Sequence, residues 1–117
     1  MKILLNSAVV TNWGTWEYRP ASLEEAKRWL QEGDWHSTIR YPDTAEVIRR
    51  LTGVDVPVRN EAIKMKVGDE ALVFRIKFEE GGARIAQEMK GKLDPQWIER
   101  NLEIGFLRMI GASWRKT

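Results

Sequence analysis

The stretch STIRYPDTAEVIRRLTG, Ser37–Gly53, contains the change of period that decides the fold. Trp35 to Arg40 reads as an extended strand. From Asp43 to Thr52 the spacing turns helical, with Val47, Ile48 and Leu51 facing inward. Pro42 suits the first helical position, where its missing N–H costs little, and Gly53 suits the C-terminal stop. A strand that runs straight into a helix leaves N–H groups at the helix start, and these suit an anion. The turn itself, Arg40-Tyr41-Pro42-Asp43, has no glycine loop and no histidine. Three readings are open: an active site, a phosphate-binding site without chemistry, or a plain helix start.

Outward from this junction, the N-terminal side supplies two strands and a helix. Lys2–Leu5 is an apolar first strand, Asn6 to Gly14 is polar and irregular, and Thr15–Tyr18 is a short strand. Ser22 with Glu25 three residues on forms a capping box. Leu23, Ala26, Trp29 and Leu30 share one face of the helix that follows, and Gly33 ends it. On the C-terminal side, Glu61–Lys66 and Glu70–Phe78 flank the turn Val67-Gly68-Asp69, which predicts a hairpin. In its second arm Leu72, Phe74, Ile76 and Phe78 point one way, and Val73, Arg75 and Lys77 the other. Glu80-Gly81-Gly82 is a break, and Ala83 to Lys92 fits either a loop or a weak helix. Asp94-Pro95 predicts a helix whose apolar face runs through Trp97, Ile98, Leu102 and Phe106, followed by a basic tail from Gly111 to Thr117. The expected class is α/β: a single domain over residues 1–117, with a mixed sheet of about five strands flanked by helices.

Composition narrows the function. The net charge is only +2, which argues against duplex nucleic acid as a partner but leaves room for a local basic pocket. The absence of cysteine excludes disulfides, zinc-thiolate sites and cysteine nucleophiles, and is compatible with a reducing compartment. No apolar run approaches the roughly 18–20 residues of a membrane span, so no membrane partner is expected. The N-terminus turns polar immediately after Leu5 and reads as a strand rather than a signal peptide, which makes the cytoplasm the expected location. Six tryptophans are many for this length; most suit packing, and Trp13, between Asn12 and Gly14, is the best candidate for stacking on a base.

Little in the chain suggests chemistry by itself. His36 is the lone histidine and sits in a predicted strand, where packing or surface exposure is the simpler role. No His/Asp cluster has metal-ligand spacing, so neither a metal nor another cofactor is expected. Glu79-Glu80 fits either a catalytic carboxylate or a solvated turn. The remaining signal is polar and basic: Asn6, Ser7, Arg40, Arg59, Arg75 and Lys77, together with the helix start Tyr41–Thr44. Set around one pocket, these residues suit a phosphodiester.

Five segments in order carry a resemblance: LLNSAVVT (Leu4–Thr11), YRPASLEEAKRWL (Tyr18–Leu30), STIRYPDTAEVIRRLTGVDVPV (Ser37–Val58), IKMKVGDEALVFRIKF (Ile63–Phe78) and NLEIGFLRMI (Asn101–Ile110). Together they resemble the small α/β family of archaeal-virus, phage and bacterial proteins that includes the type III anti-CRISPR ring nucleases. The resemblance implies a homodimer with cyclic tetra-adenylate, a cyclic oligoadenylate second messenger, lying across the two-fold axis. It implies metal-independent cleavage, in which a ribose 2′-hydroxyl attacks the adjacent phosphorus and a histidine at the strand-to-helix turn assists the leaving oxygen. The expected role is damping of type III CRISPR signalling in the host cytoplasm.

The sequence departs from the family pattern where it matters most. The family's turn reads Ile-Gly-His, an acidic residue, then Ser-Thr; here Arg40 stands for the glycine and Tyr41 for the histidine, followed by Pro42, Asp43 and Thr44. Lys77-Phe78-Glu79-Glu80 stands where relatives carry an arginine and a glutamate. The family's Asn-Arg is inverted as Arg59-Asn60, and Asn6 is kept. By this resemblance Tyr41 and Glu80 are the candidate catalytic residues. Asn6, Ser7, Arg40, Thr44, Arg59 and Lys77 are the candidate ligand contacts. A phenol, ordinarily titrating near about 10, is a poor proton shuttle at neutral pH. The resemblance therefore predicts binding with weakened cleavage, and the alternative is a non-catalytic regulatory or interaction protein on the same fold.

Overall fold

A strand of four residues organises the sheet. In the computed structural model, which describes residues 1–6, 13–76 and 100–111, β1 (Lys2–Leu5) has a neighbour on each side. It pairs in parallel with β3 (Trp35–Ser37) and with β4 (Glu70–Ile76). β4 pairs antiparallel with β5 (Leu102–Gly111), which in turn pairs antiparallel with β2 (Thr15–Pro20). The sheet is mixed and five-stranded in the order β2-β5-β4-β1-β3, an α/β fold as the sequence predicted.

Helix α1 (Leu23–Glu32) starts at the expected capping box. Glu25 N–H donates to Ser22 Oγ, and Ser22 N–H donates back to Glu25 Oε1, both at 3.1 Å. Helix α2 (Pro42–Thr52) has Pro42 in its first turn and stops at Gly53, whose φ of 77° is left-handed and whose N–H reaches Arg49 O at 2.8 Å. Both helices cover one face of the sheet. There Leu4, Leu72, Phe74 and Phe106 pack against Ala26, Trp29, Leu30 and Ile48. Among the described residues no helix is long and apolar enough to cross a membrane.

The second face carries Ile3, Ala71, Val73 and Leu107, and neither α1 nor α2 packs against it among the described residues. Met65, Ile63 and Trp16 lie over it. This corrects the predicted hairpin: residues 61–66 form no strand, although the turn at Gly68 is present with φ 93°. Both edges of β4 are already taken by β1 and β5, so no ladder is left for a preceding arm. The alternation of Ile63 and Met65 with lysines records burial against the sheet, not pairing within it.

The C-terminal region needs a second correction. Leu102 and Phe106 belong to β5, not to a helix that begins at Asp94. A spacing of four places two residues on one side of a helix and also on one side of a strand. The intervening Ile104 and Gly105 favour the strand. Tyr18 on β2 lies over Gly105, where an added Cβ would come within 2.6 Å of its ring. The expected strand from Trp35 to Arg40 is shorter, ending at Ser37, with Ile39 making a separate parallel bridge to Val58. Trp97, Ala83 to Lys92 and Ala112 to Thr117 lie outside the described residues.

Candidate functional site

The parallel strands β1 and β3 end side by side, and the chain leaves β3 for α2 through the turn Arg40-Tyr41-Pro42-Asp43. From β1 the path reaches β3 on one side and later β4 on the other. Crevices beyond the carboxyl ends of parallel strands at such a reversal are the usual ligand sites of α/β sheets. A cavity of about 430 Å³ opens there, beside the start of α2 and reaching onto the second face. Its walls come from the end of β1 (Leu5, Asn6), from β2 (Trp16), from the β3–α2 connection (Thr38, Arg40, Tyr41) and from the covering segment (Glu61 to Ile63, Met65).

Hydrogen bonds fix these walls. The backbone N–H and the hydroxyl of Thr38 both donate to Leu4 O at 2.9 Å, which ties the connection to the end of β1. Ser37 Oγ donates to Pro57 O at 2.6 Å and accepts from Ile39 N–H at 3.3 Å. Arg59 N–H donates to Ile39 O at 2.8 Å. The segment leading to Glu61 is thus stitched beside the turn. Tyr41 is extended, with φ −114° and ψ 129°, and caps α2 without a side-chain hydrogen bond to the helix. Tyr41 is 45% exposed, so it is a wall of the cavity and not a core aromatic.

Three of the candidate residues, Asn6, Arg40 and Tyr41, meet at this cavity. Thr44 does not: it is 2% exposed in the first turn of α2, behind the turn. Arg59 is exposed on the stitched segment and is not part of the wall. Ser7, Lys77 and Glu80 lie outside the described residues. Trp13, the stacking candidate, is 77% exposed and does not line the cavity, whereas Trp16 does.

Glu61, Thr38 and the apolar floor of Ile63 and Met65 were not legible as site residues. The alternation that would have marked the 61–65 segment was spent on a strand it does not form. His36, which the sequence assigns to packing or surface exposure, is half-buried. It is in register with Ile3 on the second face, and its Nε2 lies 3.0 Å from Glu61 Oε2. Arg40 has no ion-pair partner among the described residues. Among the described residues the cavity wall therefore combines a guanidinium, a half-exposed phenol, an amide, a hydroxyl and a carboxylate 3.0 Å from an imidazole nitrogen. Such a set can hold a phosphate and stack or orient a base. Among the described residues no group of three or more His, Asp or Glu gathers as metal ligands.

These features define a small α/β protein with a ligand-sized crevice at the carboxyl ends of its parallel strands. Residues 2–98 match the STIV B116-like family, and the chain belongs to that family. Its fold is similar to B116 of Sulfolobus turreted icosahedral virus, with a TM-score of 0.66 and 19% identity over 92% of this chain and 97% of that one. At that identity the likeness is one of fold. No curated protein matches the chain. The family is the broader part of the resemblance drawn from the sequence.

Proposed function

We propose that the protein binds a cyclic oligoadenylate, with cyclic tetra-adenylate the first candidate, and so damps type III CRISPR signalling. The observation that carries this reading is the meeting of Asn6, Arg40 and Tyr41 at one cavity beside the strand-to-helix turn. By residue type and position in the sequence, the three suit a phosphodiester. The cavity's 430 Å³ falls within the roughly 300–1,000 Å³ of sites that enclose one small ligand. A ring of four nucleotides is larger than one protomer encloses, so the reading includes a homodimer in which each protomer supplies half of the contacts.

Cleavage is weak or absent in this account. By the resemblance, Tyr41 stands where the ring nucleases carry a histidine, and a phenol transfers protons poorly at neutral pH. Tyr41 orients or stacks, and Arg40 offsets phosphate charge. The same replacement favours the second reading, a non-catalytic regulatory or interaction protein. Incubation of the pure protein with labelled cyclic tetra-adenylate, with binding and cleavage scored separately, decides between them. Saturable binding with slow or no cleavage is expected. No binding moves the protein to the second reading.

A further inference from the structure

The only histidine of the chain stands one contact behind the cavity wall. Glu61 lines the cavity, and His36 Nε2 lies 3.0 Å from its Oε2. Glu61 is the feature that fits an anion site worst, because its carboxylate repels what Arg40 attracts. Among the described residues the ionisable side chains on the wall are Arg40, Tyr41 and Glu61. β1, packed against β3, presents the apolar Ile3 beside His36, and Lys2 turns instead to Trp29 O, Gly33 O and Glu32. Arg59, on the segment that carries Glu61, is exposed and off the wall. α2 brings Asp43 in its first turn, which is not part of the wall either.

Among the described residues of the wall, the charge count then depends on one proton. With a neutral imidazole, Arg40 and Glu61 cancel. With an imidazolium, Glu61 is compensated and the positive charge of Arg40 is left to the ligand. A histidine ordinarily changes charge between about pH 5 and 8. We propose that the His36–Glu61 pair makes anion binding in this cavity proton-linked, so that a phosphate-bearing ligand binds more tightly when His36 is protonated. The inference rests on reading the cavity as an anion site. By linkage, binding in turn draws a proton onto the pair. One extra charge about 7 Å from a phosphate, at an effective permittivity of about 40–80, corresponds to roughly three- to tenfold in affinity.

The test is calorimetric titration with cyclic tetra-adenylate at about pH 5.5 and about pH 7.5. It uses the parent protein, His36→Gln and Glu61→Gln. Sulfate, whose charge is constant over that range, is titrated in parallel by chemical shift. The parent should bind roughly three- to tenfold more tightly at the lower pH and take up protons on binding. His36→Gln should lose this dependence. Glu61→Gln should bind at the higher pH as the parent does at the lower. An affinity of the parent that is flat with pH, or a dependence that survives in His36→Gln, overturns the inference while leaving the functional reading intact. Proton-linked binding of sulfate without binding of the ring overturns the functional reading and keeps the inference. Binding of neither overturns both.

Discussion

Tyr41 carries most of the functional account at the scale of single residues. It has the backbone of a helix cap, the exposure of a cavity wall, and a side chain unsuited to moving protons at neutral pH. Tyr41→His should raise single-turnover cleavage of cyclic tetra-adenylate, by up to the roughly 10²–10⁴-fold that general acid–base catalysis contributes. Arg40 and Pro42 shape the turn on either side, so introducing the ring-nuclease pattern at 40, 41 and 42 together is the stronger form of the test. If the parent already cleaves as fast as that variant, the tyrosine is no handicap. A second residue-scale prediction concerns Gly105. An added Cβ would sit 2.6 Å from Tyr18 ring atoms, and the same ring sends its hydroxyl to Glu103 at 3.0 Å. Burial and the Glu103 carboxylate push the Tyr18 phenol up to about 12, so the group stays neutral and keeps donating that bond across the physiological range. Gly105→Ala should therefore lower stability by about 1–3 kcal/mol in denaturant melts. An unchanged midpoint would show that the ring moves aside freely.

Among the elements, those whose signals are local were legible. The capping box of α1, the Pro42 start and Gly53 stop of α2, and the apolar β1 all follow from side-chain chemistry within a few residues. What failed depends on neighbours distant in sequence. The 61–66 segment alternates like a strand, but β1 and β5 already occupy both edges of β4. β5 has a spacing at Leu102 and Phe106 that serves either period, and its pairing with β2 joins residues from opposite ends of the chain. The site was half legible for the same reason. Asn6, Arg40 and Tyr41 announce themselves through type and position, whereas Glu61 enters the wall only because its segment folds over the second face. The turn that returns this segment to β4 makes a prediction of its own. Burial opposes the charged form of Asp69, but the Met1 ammonium and the Lys66 N–H, each at 2.8 Å, outweigh it and hold the carboxyl below the usual range. A carboxyl with a depressed folded value contributes stability above its unfolded pKa, near about 3.9, and loses that contribution as pH falls through the folded value. Stability should decline in this acid window, and Asp69→Asn should flatten the decline in melts taken against pH. A variant with the parent's full acid sensitivity would assign that sensitivity to other carboxylates.

For the whole molecule, α1 and α2 pack on one face of the mixed sheet, and among the described residues the irregular 61–66 segment lies over the other, with the cavity where that segment meets the strand ends. A ring-shaped ligand with repeated phosphates is matched most simply by two copies of such a surface. In solution, light scattering at micromolar concentration should give twice the 13.6 kDa of the chain. A clean monomer in the presence of the ligand would contradict the two-fold arrangement. The most direct measurement of the central claim is the stoichiometry of cyclic tetra-adenylate binding, followed by titration of the ring into the protein at concentrations well above the dissociation constant. The account predicts saturation at one ring for every two chains, lost or weakened in Arg40→Ala. Absence of saturable binding, or one ring for each chain with Arg40→Ala unaffected, would contradict it.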